Sequence, residues 1–138
     1  MGLFSGKRPS GLGVTSGKLK PCSWKPNCVN STTDAATDAI HYVEPLKIAG
    51  AAPQAWAAAV AIVKASQRVS VVSENPAYLY CEYRSQTMGY VDDIELSLDA
   101  AAGVIHVRSA SRLGVGDFGV NRARIESLRA KLDAAQRH

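Results

Sequence analysis

Two hydrophobic periods follow one another along the chain, and their order outlines a fold. Over residues 53–66, apolar side chains recur at three- and four-residue spacing, so Trp56, Ala59, Val60 and Val63 form one stripe of a helix. Pro53 suits the first turn, where a missing N–H has no partner to lose, and the surrounding alanines favour helix. The period then drops to two. Residues 69–73 are β-branched, and residues 73–76 signal a turn. Residues 78–85 set Leu79, Cys81 and Tyr83 against Tyr80, Glu82 and Arg84, before a loop over 86–89. Residues 90–98 set Ile94, Leu96 and Leu98 against Asp93, Glu95 and Ser97. After a turn at 100–103, residues 104–111 set Ile105, Val107, Ser109 and Ser111 against His106, Arg108 and Ala110. Alternation of this kind predicts half-buried antiparallel strands. A last helix is predicted over 120–135, with Ile125, Leu128 and Leu132 as its stripe. Pro21 and Pro26 make residues 21–33 an irregular loop, and Pro45 interrupts a short extended piece over 40–48. The fold class expected is α+β: an antiparallel meander of four strands or slightly more, with two helices packed on one face.

Register follows from the need to bring apolar faces together, because a one-residue slip turns every side chain over. Pairing Asp99 with Val104 sets Leu96 by Val107, Glu95 by Arg108 on the outer face, and Asp92 by Ser111 on the inner face. Pairing Ser85 with Tyr90 sets Cys81 by Ile94 and Tyr83 by Asp92. Tyr83, Ser85, Asp92, Ser109 and Ser111 are then expected to crowd one end of the inner face. A carboxylate there needs a partner, and Arg112 or the Ser111 and Tyr83 hydroxyls are at hand.

The segment 108–124, RSASRLGVGDFGVNRAR, is the most informative stretch. Gly114, Gly116 and Gly119 imply a sharply turning backbone or a close approach. Asp117 and Asn121 can bond nearby N–H groups, and Asn121 is the expected N-cap of the last helix. Arginines beside free N–H groups at a helix start suit an anion. For Arg112 and Arg122 this stands level with plain ion pairing, Arg108 with Glu95 and Arg112 with Asp92 or Asp117. Arg124 and Arg129 are read as solvated. No Walker loop or dinucleotide fingerprint is present, and no cofactor is indicated.

A length of 138 residues fits one domain able to bury a core. The net charge of +4 is uneven: Lys7, Arg8, Lys18, Lys20 and Lys25 precede the first acid, Asp34, and the rest holds 11 basic and 12 acidic residues. Residues 1–20 therefore read as a flexible basic arm and 21–138 as the domain. Nucleic acid is a weak prospect, because the arm lacks interleaved aromatics. No apolar run approaches a membrane span. No secretory leader is seen, which suggests the cytoplasm, with an exported or envelope-associated protein as the alternative.

Residues 21–29 (PCSWKPNCV), 91–95 (VDDIE) and 104–124 (VIHVRSASRLGVGDFGVNRAR) together resemble the family designated domain of unknown function 1499, in the same order over residues 19–132. The family's recurring polar positions fall on Cys28, Ser85, Asp92, Asp93, Glu95, Arg108, Ser109, Ser111, Arg112, Asp117, Asn121 and Arg122. The resemblance implies a bacterial protein, often exported or membrane-attached, and no known activity.

Cys22 and Cys28 can close a small disulfide loop in an oxidising compartment or stay as thiols. A metal site would need two further ligands. Cys81 reads as a packed apolar residue and His106 as exposed. The function expected is a non-catalytic module binding a small anionic ligand with Ser85, Asp92, Arg108, Ser109, Ser111, Arg112, Asp117, Asn121 and Arg122. The alternatives are a small enzyme, with Asp92 or Asp117 as general base and Arg112 stabilising negative charge, and a structural protein without a ligand. No protein partner is indicated.

Overall fold

A computed structural model describes residues 6–86 and 89–137. In chain order these form β1 (Val14–Thr15), β2 (Lys18–Leu19), β3 (Cys28–Asn30), β4 (Leu46–Lys47), α1 (Ala52–Lys64), β5 (Val69–Asn75), β6 (Tyr78–Arg84), β7 (Val91–Asp99), β8 (Val104–Ser111) and α2 (Val120–Gln136). The fold is α+β. A six-stranded sheet runs in the order β3-β8-β7-β6-β5, with β4 also paired to β8, and β1 and β2 form a separate two-stranded hairpin. Residues 1–5 of the expected arm and 87–88 of the expected loop lie outside the described residues.

The expected meander is β5 to β8. Across β7 and β8, Asp92 pairs with Ser111, Glu95 with Arg108, Leu96 with Val107 and Asp99 with Val104. Across β6 and β7, Cys81 pairs with Ile94 and Tyr83 with Asp92. Three local differences stand out. Cys28–Asn30 is a strand along β8 and not part of an irregular loop, because Pro26 stops just short of it and leaves its N–H groups free to pair. β5 continues to Asn75, so the turn shrinks to Pro76 and Ala77. Of the extended piece over 40–48, only Leu46–Lys47 pairs as a strand. β5 ends the sheet order, and its register slips between Val71 and Ser73, a bulge that leaves Val72 unpaired.

Trp56, Ala59, Val60 and Val63 of α1, Ile125, Leu128 and Leu132 of α2, and Leu79, Cys81, Ile94, Leu96, Ile105 and Val107 of the strands form one buried cluster. Both helical stripes and the inner rows of the sheet therefore meet in a single core. Burial pushes the Cys81 thiol up to about 11, as suits a packed residue. Among the described residues, no helix is long and apolar enough to cross a membrane.

The leader lies across the outer side of the sheet. Arg8 pairs with Glu82 at 2.8 Å, Gly13 N–H donates to Glu95 at 2.8 Å, and Leu19 is buried. Gly6 passes so close to Arg112 that a Cβ on it would meet the Arg112 Cβ at 3.0 Å. The polar outer row of the sheet is thus covered by chain.

Candidate functional site

The sheet divides the polar residues of segment 108–124 between its two sides. On the outer side, Arg112 grips Asp93 with both arms of its guanidinium, Nε at 2.9 Å and Nη2 at 2.8 Å, and also bonds Glu82. Tyr80 donates its hydroxyl to Asp93. These partners hold the Arg112 guanidinium above its usual range, the Asp93 hydrogen bonds first among the causes. Burial, then the nearby Asp93 carboxylate, pushes the Tyr80 phenol up. Alongside, Tyr78 donates to Glu95, and Arg108 Nε donates to the Lys20 carbonyl at 2.8 Å. The nearest approach of Arg108 to Glu95 is 3.8 Å, an ion pair without a hydrogen bond. Burial lowers the Arg108 guanidinium below its ordinary value, with the carboxylates opposing. Arg112 therefore pairs with Asp93 and Glu82, and not with Asp92 or Asp117. Strand parity explains this, because Ser111 faces inward and the next residue faces out.

On the inner side the centre is Asn121, which is fully buried. Its Oδ1 accepts from Ser109 Oγ at 2.6 Å and Arg124 Nη1 at 2.8 Å. Its Nδ2 donates to Asp117 at 2.7 Å, Ser111 Oγ at 2.9 Å and the Asn27 carbonyl at 3.1 Å. Asn121 is not the helix cap; Gly119 is, at φ 78°. Asp117 serves the helix start instead, accepting from the N–H groups of Gly119 at 2.9 Å and Asn121 at 3.0 Å. Burial alone would raise the Asp117 carboxyl, but these donors outweigh it and hold it below its ordinary value.

The partner of Asp92 is Arg124, at 2.9 Å, and the same guanidinium lies 4.5 Å from the centre of the Tyr83 ring. Arg124 is thus no solvated helix residue, and it is one of the site residues that sequence reasoning missed. Arg129 is not solvated either, since it donates to the carbonyls of Pro45 and Glu44 at 2.8 and 2.7 Å. Arg122 turns away to the Ile40 carbonyl at 3.2 Å. Ser85 accepts from the Tyr90 N–H at 2.8 Å, at the end of the β6–β7 hairpin. His106 is half-buried, with Ser31 Oγ at 3.0 Å and Asp99 at 3.6 Å. The structure joins Cys22 to Cys28 by a disulfide. Asn27, inside that loop, donates from Nδ2 to the Gly114 carbonyl at 2.8 Å and so fastens the loop to the 113–120 turn.

Between that turn and the Asp92 end of the sheet lies a cleft of about 490 Å3. Asp92, Ser111, Asp117 and Arg124 line it, with Ser85 and Tyr83 beside them. Arg68 and Arg84 also line it, and Leu113, Phe118 and Val120 form its apolar wall. Arg108 and Arg112 are not among its lining residues. Among the described residues, no three His, Cys, Asp or Glu side chains are grouped to hold a metal ion.

The family model described as "Protein of unknown function (DUF1499)" matches residues 18–132. Neither curated proteins nor solved structures include a match to the chain.

Proposed function

The chain belongs to the DUF1499 family, whose description names no activity, and we propose that it is a non-catalytic module that binds a small anion in the cleft at the Asp92 end of the sheet. One observation carries this reading. Arg68 and Arg84 stand opposite each other where β5 begins and β6 ends, Arg84 N–H donating to the Arg68 carbonyl at 3.0 Å and Arg68 Nε to the Arg84 carbonyl at 3.1 Å. Like charges directly opposite in a sheet destabilise it. Among the described residues, neither arginine has a carboxylate partner. Arg68 also holds a left-handed backbone, φ 59°, which a residue with a side chain rarely adopts. An anion between them relieves the repulsion and gains charge-assisted hydrogen bonds.

A catalytic reading has less support. Asp117 is a weak base when its carboxyl is held low by N–H donors, and Asp92 is committed to Arg124. A purely structural reading accounts for the outer cluster and for the bonds of Arg68 to the Arg84 carbonyl and Gln67, but supplies no counter-charge for either arginine.

The test is thermal denaturation with inorganic phosphate, citrate and dodecanoate. A ligand at ~100 times its dissociation constant stabilises by about 2.7 kcal/mol. At least one anion is expected to raise the melting temperature of the wild type. The same anion should have no effect on Arg68→Gln/Arg84→Gln and should retain its effect on Arg122→Gln, a change outside the cleft. The proposal fails if no anion shifts the wild type, or if the double variant responds as the wild type does.

A further inference from the structure

We infer that the anion is an amphiphile, one alkyl chain carrying a single anionic head; this deepens the cleft reading and rests on it. The cleft that Arg68 and Arg84 line also has an apolar wall. Leu113, Phe118 and Val120, which line it, are all exposed, at 40, 104 and 49%. Phe118 is the extreme case, since its whole side chain stands in water on a left-handed backbone of φ 54°. Contiguous exposed apolar surface marks a place where something apolar binds, and strain at such a residue points the same way.

The wall is fastened at its base. Asp117 holds the N–H groups of Gly119 and Asn121, and Asn27 holds the Gly114 carbonyl. The backbone of the wall is therefore held in place before anything binds. A second cleft of about 330 Å3 shares Arg68, Tyr83, Val120 and Arg124 with the first and is lined further on by Ile62, Val63 and Leu128. The two together give an elongated path with Arg68 at their junction, its far part lined by Ser66, Ser127 and Lys131 as well as by the apolar groups. The first cleft alone falls within the ~300–1,000 Å3 typical of small-molecule sites.

Charge and shape then select the ligand. A compact anion would satisfy Arg68 and Arg84 and leave the wall wet. A neutral hydrocarbon would cover the wall and leave the charges of Arg68 and Arg84, both lining the cleft, without a counter-ion. An alkyl chain with an anionic head does both, the head between the arginines and the chain against Phe118 and Val120.

Calorimetric titration of the full chain with dodecanoate below its micelle concentration tests this, with phosphate and citrate as compact anions and anionic phosphatidylglycerol vesicles as a membrane arm. Phe118→Asn is the informative variant, because asparagine tolerates the left-handed backbone and the native side chain packs on nothing, so folding is retained. Dodecanoate is expected to bind the wild type, with a negative heat-capacity change. It should bind Phe118→Asn about tenfold more weakly or worse. Compact anions should bind far more weakly than dodecanoate. Equal dodecanoate affinity in wild type and Phe118→Asn overturns the inference. Binding of phosphate or citrate without dodecanoate overturns it too, while leaving the anion cleft standing. Binding to vesicles without binding to monomeric dodecanoate overturns it in favour of membrane docking. Silence in every arm removes both readings.

Discussion

The two sides of the sheet solve the same problem differently. On the outer side, Glu82, Asp93 and Glu95 meet Arg8, Arg108 and Arg112, equal numbers of opposite charges beneath the leader. On the inner side, hydroxyls and amides do most of the work around Asn121, with Asp92–Arg124 as the ion pair. The difference lies in what each cluster can still do. A set of matched charges offers a ligand little beyond the unbonded Arg108 Nη1 and Glu95 Oε1, and opening it would strand ions in a poorly solvated place. A network in which hydroxyls and an amide join Asp117 and Arg124 beside an open cleft can exchange one hydrogen bond for another at smaller cost. Charge density alone points to the outer side; the cleft lies across the sheet from it, at the same Asp92 end.

That contrast can be broken most forcefully at Arg112. Arg112→Met leaves Asp93, itself buried, facing Glu82 without its main counter-charge. Loss of one member of a buried pair costs about 3–5 kcal/mol, and a large fall in the urea midpoint is expected. Arg112→Lys should recover only part of it, because a point charge cannot grip both carboxylate oxygens. Retention of wild-type stability in Arg112→Met would show that the outer cluster carries little.

On the inner side, Asn121→Ala should cost less, on the order of 1–3 kcal/mol for the polar groups it leaves unsatisfied. It should also loosen the 113–120 wall, seen as faster amide exchange at Gly119. An unaltered exchange rate would mean that the wall does not depend on the network.

The smallest effect separates the sides by acid. The Glu82 carboxyl lies below its ordinary 4.5, held down first by its hydrogen bond to Arg8, opposed by burial and helped by Arg112. A lowered carboxyl stabilises the fold above its unfolded value, and that stabilisation is lost as pH falls through the folded one. Melting temperature should therefore decline below pH 4.5, and Glu82→Gln should flatten the upper part of that decline. Asp117, ordinarily 3.8 and also lowered, should contribute only at more acid pH, so Asp117→Asn should flatten the lower part. An unchanged profile in both variants would place the acid-sensitive groups elsewhere.

Much of this arrangement is legible in the chain, and the misses have physical causes. The β7–β8 register followed from matching Leu96 with Val107, because burial on one face tolerates no slip. The same parity puts Arg112 outward with Arg108, and pairing it with Asp92 overlooked that. Asn121 continues the stripe of Ile125, Leu128 and Leu132 by one turn, so a polar residue on a buried row was there to be read. Arg124 gave no comparable signal. It lies beside that stripe, where a long cationic side chain is ordinarily solvated, and only the position of Asp92 in space decides its partner. Arg68 and Arg84 lie 16 residues apart, and nothing local joins them until the β5–β6 hairpin forms. The leader's path over the outer row was equally hidden, since composition speaks of solubility and not of where a segment comes to rest.

The bulge at Val72 has a bearing on how the protein shares space with its own copies. β5 is an open edge seven residues long, and Val71 and Val72 lie exposed on it. A straight edge of that kind is a template for end-to-end growth into filaments. By putting one extra residue in the middle, the chain breaks the row of donors and acceptors into two short runs and offers no continuous seven-residue template. A single misfit residue thus guards the colloidal stability of a sheet that ends on an exposed strand.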